Sequence, residues 1–568
     1  MKKLLTILAA LIISASNVAQ AQDWLWAKSI WGTSSATEFS NEGGRTIKSC
    51  TDANGNVYVT GRFLNETLTF DTITLTSNVG SFFIVKYDSD GTILWANSAN
   101  TAYNYDVHSI CADASGNVYV IGNFNAPTIT FGAITLTNTN SGNSPEVFLV
   151  KYSSDGTVLW ARSAGGSTGE AGKDVTTDGN NNIYITGSFT STFTIGSTTL
   201  TSAGSSDVFL VKYDPNGTFL WAKSEGSQYT EHGHCVTTDA SGNVYLAGLF
   251  ASSTITIGTT TLTNSVSYEY YTSDVFIAKY TPAGEVLWAK SAGGTRNDNV
   301  YEISSDNSGN LYIGGDFESA TFTIGTTTIT NAVNDILFSS IDAYIAKYTS
   351  DGTLQWVNTI AGIYDDYIGD ICTDTYGNVY ATGCLSNSNI TTGTTSTINL
   401  ILTGTPAAYI VKYAPDGSAL WANILNESLS GGASINTDAS NNLYSLGDFR
   451  SPNINIGATT LYNTDNSFNT NDIFIAKFGV TITGINESFS NNQLIISPNP
   501  TNSSITLSMP SLKNSKVSIC TLTGTEVGNY NTQNTSTQTI DISHLASGVY
   551  FVSLKSEEGV ETKKIIKQ

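Results

Sequence analysis

Between residues 23 and 479 the chain repeats one pattern of hydrophobic and polar positions. Short runs rich in β-branched and aromatic residues alternate with Gly-, Asn- and Asp-rich punctuation, the signature of strands and tight turns. One unit has an apolar entry strand (Val107-His108-Ser109-Ile110-Cys111-Ala112), a turn (Asp113-Ala114-Ser115-Gly116-Asn117) and an exit strand (Val118-Tyr119-Val120-Ile121-Gly122-Asn123-Phe124). A Thr-rich segment around a Gly follows, as in Phe193 to Thr201. A third strand such as Asp207 to Tyr213 then leads through Asp214-Pro215-Asn216-Gly217 to a fourth, Phe219 to Ser224. The turn Asp recurs at Asp52, Asp113, Asp178, Asp239, Asp306, Asp374 and Asp438, with spacings of 61 to 68 residues. Self-similarity at a fixed period predicts a repeat architecture, and four strands per unit predict the blade of a β-propeller. The Thr-rich segment, which lengthens the period, is expected to form an extra hairpin.

The ends of the array predict how it closes. Trp26 has no Lys-bearing third strand before it, and Lys477 has no Trp-bearing fourth strand after it. If Trp24 to Ser29 pairs with Asp472 to Phe478, both loose sheet edges vanish. The expected fold is all-β: a seven-bladed propeller closed by pairing of its N- and C-terminal strands, followed by a small Ig-like β-sandwich. The expected organisation is a signal peptide at 1–21, the propeller at 22–479, a linker at 480–492 and a C-terminal domain at 493–568. Lys2-Lys3, the apolar run Leu4 to Ile13 and Ala19-Gln20-Ala21 carry the signal-peptide reading. That apolar run is too short to span a bilayer, so no membrane span is expected.

The repeats resemble the bacterial β-propeller family labelled SBBP. The resemblance rests on Asp-x-x-Gly-Asn-x-Tyr-x-x-Gly, on the Asp-x-Phe-x-x-Lys-Tyr strand and on Gly-x-x-Leu-Trp; it covers about residues 23–479 and implies no catalytic residues. The C-terminal stretch resembles the type A sorting domain of the type IX secretion system of Bacteroidota. Pro498-Asn499-Pro500, Leu522-Thr523-Gly524, Ile542 to Tyr550 and the basic tail ending Lys567-Gln568 carry this second resemblance. It implies the type IX machinery as a partner through residues 493–568, after Sec export, and a location outside the cell or on the outer-membrane surface.

Composition narrows the function classes. The net charge of −22 argues against nucleic acid as a partner and suits solubility outside the cell. Six cysteines in a chain this long make no disulfide framework; Cys50, Cys111 and Cys372 share one repeat position and read as small buried hydrophobes. The turn Asp residues read as backbone-bonding groups rather than calcium ligands. His232 and His234 lie two apart on a strand, and so are expected to share a face beside Cys235; with no third ligand in view, neither a metal nor a cofactor is expected.

The loops entering each first strand vary where the rest repeats. They place Tyr103, Tyr105, Asp106, Glu231, Asp298, Tyr364, Asp365, Asp366 and Tyr367 on one face, as candidate ligand-binding residues. Tyr beside carboxylates suits contacts to a glycan or a protein. The expected function is therefore a non-catalytic binding or adhesion module. A polysaccharide lyase or hydrolase on the loop face and a structural surface component stay open as alternatives.

Overall fold

The computed structural model describes residues 22–32 and 47–480, except 64–65, 78–80, 102–104, 141–143, 167, 267–271, 334–339, 387–405, 427–429 and 464–470. C-terminally it describes 494–508, 515–521, 526–532, 535–556 and 559–567. The signal-peptide reading, Tyr103 and the Leu522 to Gly524 motif lie outside the described residues. The chain divides into two compact units, Met1–Thr481 and Ile482–Gln568. The described secondary structure is all-β and antiparallel.

Up to Val480 the described strands form seven four-stranded groups, each with its strands hydrogen-bonded in the order first to fourth. In the third group these are Glu170–Thr177, Ile183–Phe189, Asp207–Tyr213 and Phe219–Glu225. The seventh consists of Ser430–Thr437, Leu443–Phe449, Asp472–Val480 and, from the other end of the chain, Gln22–Gly32. There Trp26 pairs with Lys477 and Ser29 with Phe474. The second and third strands are buried almost throughout, as in Ile183–Phe189 and Asp207–Tyr213, because each sheet is covered by a neighbour on both faces.

The turn between first and second strands is a hydrogen-bond hub. Asp113 accepts bonds from Ser115 N (2.9 Å), Asn117 N (2.9 Å), Asn117 Nδ2 (2.8 Å) and Tyr119 Oη (3.0 Å). Gly116 closes the turn at φ 74°, which is why the motif needs a residue tolerant of the left-handed region. The ammonium of Lys151 lies 3.7 Å from the same carboxylate and 4.8 Å from the Tyr119 ring centre. The repeat Lys thus pairs with the turn Asp. Asp207, Asp274 and Asp342, at the far end of its strand, instead accept loop amides from Ala203, Ser265 and Ala332.

The same residues tie each group to the next. Lys86 and Trp95 both donate to Ser154 O, and Lys279 and Trp288 to Ser350 O. Lys477 and Trp26, from opposite chain ends, share Ser89 O in the first group. Tyr58 donates to Gly116 O, and Tyr444 to Gly55 O. A chain of hydroxyls links the first strands in the opposite sense, each donating to the preceding group. Thr51 donates to Thr437 O, Thr437 to Thr373 O, Thr373 to Ser305 O, Ser305 to Thr238 O, Thr238 to Thr177 O and Thr177 to Ala112 O. Ala112, without a hydroxyl, is where that chain stops.

The Thr-rich segments form the expected hairpins, with one feature not read from the sequence. Several add to the outer strand of the preceding group: Thr128–Phe131 pairs with Ile93–Thr101, and Thr192–Ile195 with Val158–Gly166. Each such hairpin caps part of an edge that would otherwise be open.

In the C-terminal unit a three-stranded and a four-stranded sheet share one core, including Ile505, Leu507, Val517, Ile519, Val552 and Ile565. Asn499, between two prolines, donates to Lys564 O and accepts from Ile566 N, which fixes the start of the unit to its last strand.

Candidate functional site

The first strands, which line the centre of the N-terminal unit, carry a shared irregularity. A β-bulge falls five residues before the turn Asp in six groups, as between Gly172 and Asp174 or Gly233 and Cys235. A bulged residue leaves the ladder and its side chain is re-aimed. The residues at this position are His108, Lys173, His234, Tyr301, Gly369 and Ala433, so the backbone device repeats while the chemistry does not. The bulge also corrects the reading of His232 and His234 as strand neighbours sharing a face: His234 is the inserted residue, and the ring centres lie 6.3 Å apart. Burial, reinforced by the nearby Lys173, lowers the pKa of His234 to about 3 and that of His108 to about 3, so both imidazoles are neutral.

One residue later the side chains meet at the axis. Lys48 of the first group reaches across to Glu302 of the fifth. Asp174 accepts from Ser109 Oγ (2.6 Å) and Val236 N (2.7 Å), and Asp370 from Ser434 Oγ (2.7 Å) and Ile435 N (2.9 Å). Burial raises Asp174 and Asp370 well above the usual carboxylate range, with the charge of Glu302 adding to it. Lys48 is lowered by burial but raised more by Glu302, Asp370 and Asp174 together, and so stays charged. One ammonium thus faces three carboxyl groups, and the set pins four of the seven groups to one another across the axis. Sequence reasoning missed this layer. Its signal was a charged residue four positions before the turn Asp in four of the seven first strands, Lys48, Asp174, Glu302 and Asp370.

The loop residues separate into anchors and exposed groups. Glu231 is fully buried and accepts from Ser227 N (2.8 Å) and Ser252 N (3.2 Å). Asp298 accepts from Ser319 Oγ (2.9 Å), and Asp366 from Ser386 N (3.1 Å). Burial pushes Asp298 and Asp366 each up to about 8. These three acids, with Glu170, stand eight residues before their turn Asp, so what read as loop variation is a repeated anchor for loop backbone. Tyr105 holds the same register. Asp365 accepts from Ile341 N (3.0 Å) and Tyr367 Oη (3.3 Å), while Tyr364 is 57% exposed. Asp106 is half exposed and lies 3.5 Å from Arg62. Asp316, which follows the second-strand Gly as Arg62 and Asn123 do, accepts from Asn299 Nδ2 (2.8 Å) and is pushed up to about 7 by burial.

Residues 496–568 match the family described as the secretion system C-terminal sorting domain. Over 452 residues the chain is 26% identical to an uncharacterized WD repeat-containing protein of Acanthamoeba polyphaga mimivirus, covering 66% of this chain and 32% of that one. Over 152 residues it is 28% identical to the regulatory protein FlaEY of Caulobacter vibrioides, covering 27% of this chain and 15% of that one. The chain therefore spans about a third or less of the length of these curated relatives. The solved structure of Sqt1 from Chaetomium thermophilum is similar over 75% of this chain and 97% of that one, at 8% identity and a TM-score of 0.36, too low to bear on function. The C-terminal match marks this protein for export by the type IX secretion system, to the cell surface or the medium.

Proposed function

We propose that this exported protein is a non-catalytic binding module, a seven-bladed propeller closed between its two chain ends that recognises a glycan or a protein at its loop side. The observation that carries the reading is the contrast within each first strand. Its turn end repeats one hydrogen-bond hub, while its loop end repeats a bulge that presents His, Lys, His, Tyr, Gly and Ala in turn. Varied side chains on a rigid scaffold are the arrangement of a recognition surface. Support for ring closure comes from Gln22–Gly32 pairing with Asp472–Val480 and from the bonds joining the seventh group to the first. The WD-repeat relative is consistent with a propeller.

Asp106, Tyr364, Asp365 and Tyr367 would make direct contacts, with Glu231, Asp298 and Asp366 shaping the loops. The non-catalytic reading is supported by the engagement of those three acids with backbone amides or a buried hydroxyl, since a hydrolase needs a carboxylate pair directed at substrate. Residues 1–21 would serve as the Sec signal, and the sorting domain would deliver the protein to the surface.

The test is binding of the full exported chain to arrays of glycans and of surface proteins. Reproducible binding that is lost on Tyr364→Ala is expected. Turnover of a polysaccharide by the wild type, abolished by Asp366→Ala, would overturn the reading in favour of a lyase or hydrolase.

A further inference from the structure

A cavity of about 360 Å³ opens on the loop side between the first three groups. That is the small end of the range for ligand sites, about 300–1,000 Å³, and suits a single terminal residue better than a stretch of polymer. Arg62 enters it from the end of the first group's second strand, and Lys173 from the bulge of the third group's first strand. Both are charged. Arg62 keeps Asp106 at 3.5 Å, a loose pair on a half-exposed carboxylate.

The opposing charge is weaker. Glu170 at the wall is fully buried, donates nothing when ionised, and accepts from Asn140 Nδ2 at 2.8 Å. Burial pushes it up to about 7, so a good share of it is uncharged at neutral pH. His108, also in the wall, is neutral and bonded to Asn123 at 2.9 Å. Among the described lining residues two cations therefore face Asp106 and an acid whose charged form burial disfavours, inside a protein of net charge −22.

Asn125 adds a different requirement. Its Oδ1 is buried in the same wall with no hydrogen-bond partner among the described residues. A buried acceptor of this kind calls for a donor. A ligand that satisfies the whole wall brings a carboxylate for the guanidinium and ammonium and a hydroxyl for Asn125.

From this geometry we infer that the cavity between the first three groups binds a sugar acid, a terminal uronate residue of an acidic glycan. The inference deepens the proposed binding function and rests on it. Arg62 and Lys173 hold the carboxylate by charge-assisted bonds, and Asn125 accepts from a ring hydroxyl.

The test is calorimetric titration of the full exported protein with galacturonic acid, galactose and glycine. Galacturonic acid is expected to bind saturably, at least tenfold tighter than galactose, and more weakly as salt is raised. Arg62→Gln and Lys173→Gln are each expected to weaken it about tenfold or more. The wild-type comparison of acid with neutral sugar needs no variant to fold. Equal binding of galactose or glycine, no saturable binding at millimolar sugar acid, or unchanged affinity in both variants would overturn the inference. Should the arrays identify a neutral glycan or a protein while galacturonic acid does not bind, this inference falls and the broader binding function stands.

Discussion

The two ends of each first strand do opposite work. At the turn end, the Asp, Asn, Tyr and Lys side chains recur group after group with nearly the same bonds: Tyr119 to Asp113 at 3.0 Å, Tyr312 to Asp306 at 3.3 Å, Tyr444 to Asp438 at 3.2 Å. At the loop end, equivalent positions hold a cation, an imidazole, a phenol or nothing beyond Cα. Between them lies the axial layer, where sequence equivalence has ended but burial has not. The difference shows how a repeat protein separates its tasks. Interactions that every unit needs are written identically into every unit, and those needed once are placed where the backbone device repeats and the side chain is free to differ.

The contrast can be broken most severely at the join. Removing residues 22–30 takes away the part of Gln22–Gly32 paired with Asp472–Val480, together with the Trp26 bond to Ser89, and exposes that edge. Loss of cooperative unfolding in calorimetry is expected; a melt like that of the full chain would contradict closure. Next comes the axis. Lys48→Met leaves Glu302, Asp174 and Asp370 facing one another with no cation, a change expected to cost about 3–5 kcal/mol by denaturant unfolding, as for other broken buried pairs. A turn hub is the third target. Asp239→Ala strands the donors of Ser241, Asn243 and Tyr245. It should cost about 3 kcal/mol, whereas Tyr364→Ala at the exposed loop end should stay within about 0.5 kcal/mol.

A smaller effect follows from pH. Burial holds Glu225 at about 7 and Asp298 and Asp366 at about 8, against about 4 in an unfolded chain. The folded state thus keeps protons that the unfolded state releases. The stability these groups contribute is present in full below about pH 4 and is lost as pH rises through 7 and 8. The melting temperature should be higher at pH 6 than at pH 8.5, and a flat or rising profile would show that these acids are ionised in the fold. The smallest change sharpens the comparison by completing it. Ala112→Thr would supply the missing hydroxyl of the first-strand chain and should add about 0.5–1 kcal/mol.

Much of the turn side was legible in the sequence, because Asp-x-x-Gly-Asn and the Trp and Lys registers state their own geometry and repeat it. The pairing of Trp26 with Lys477 could be read from counting, since each stood without a partner. The loop side was less legible for a physical reason. Glu231, Asp298 and Asp366 looked like surface chemistry because an acid beside a loop is usually exposed, and only the three-dimensional course of the loops shows the amides they hold. The bulge at His234 leaves no trace in alternation, so His232 and His234 were read as neighbours on one face. Lys48 and Glu302 are 254 residues apart in the chain and meet only in the three-dimensional fold. Asn125 was invisible as well, since an unfilled acceptor is a property of packing.

The most direct test of the division between the two ends is one paired experiment on a loop-end variant, Asp106→Ala with Tyr364→Ala, in the full exported chain. Its melting temperature and its binding on the glycan and protein arrays would be measured on the same sample. The expected result is a melting temperature within about 2 °C of wild type and loss of the array signal. Array binding that persists at full strength, or an N-terminal unit that no longer melts cooperatively, would contradict the separation of fold and recognition proposed for this protein.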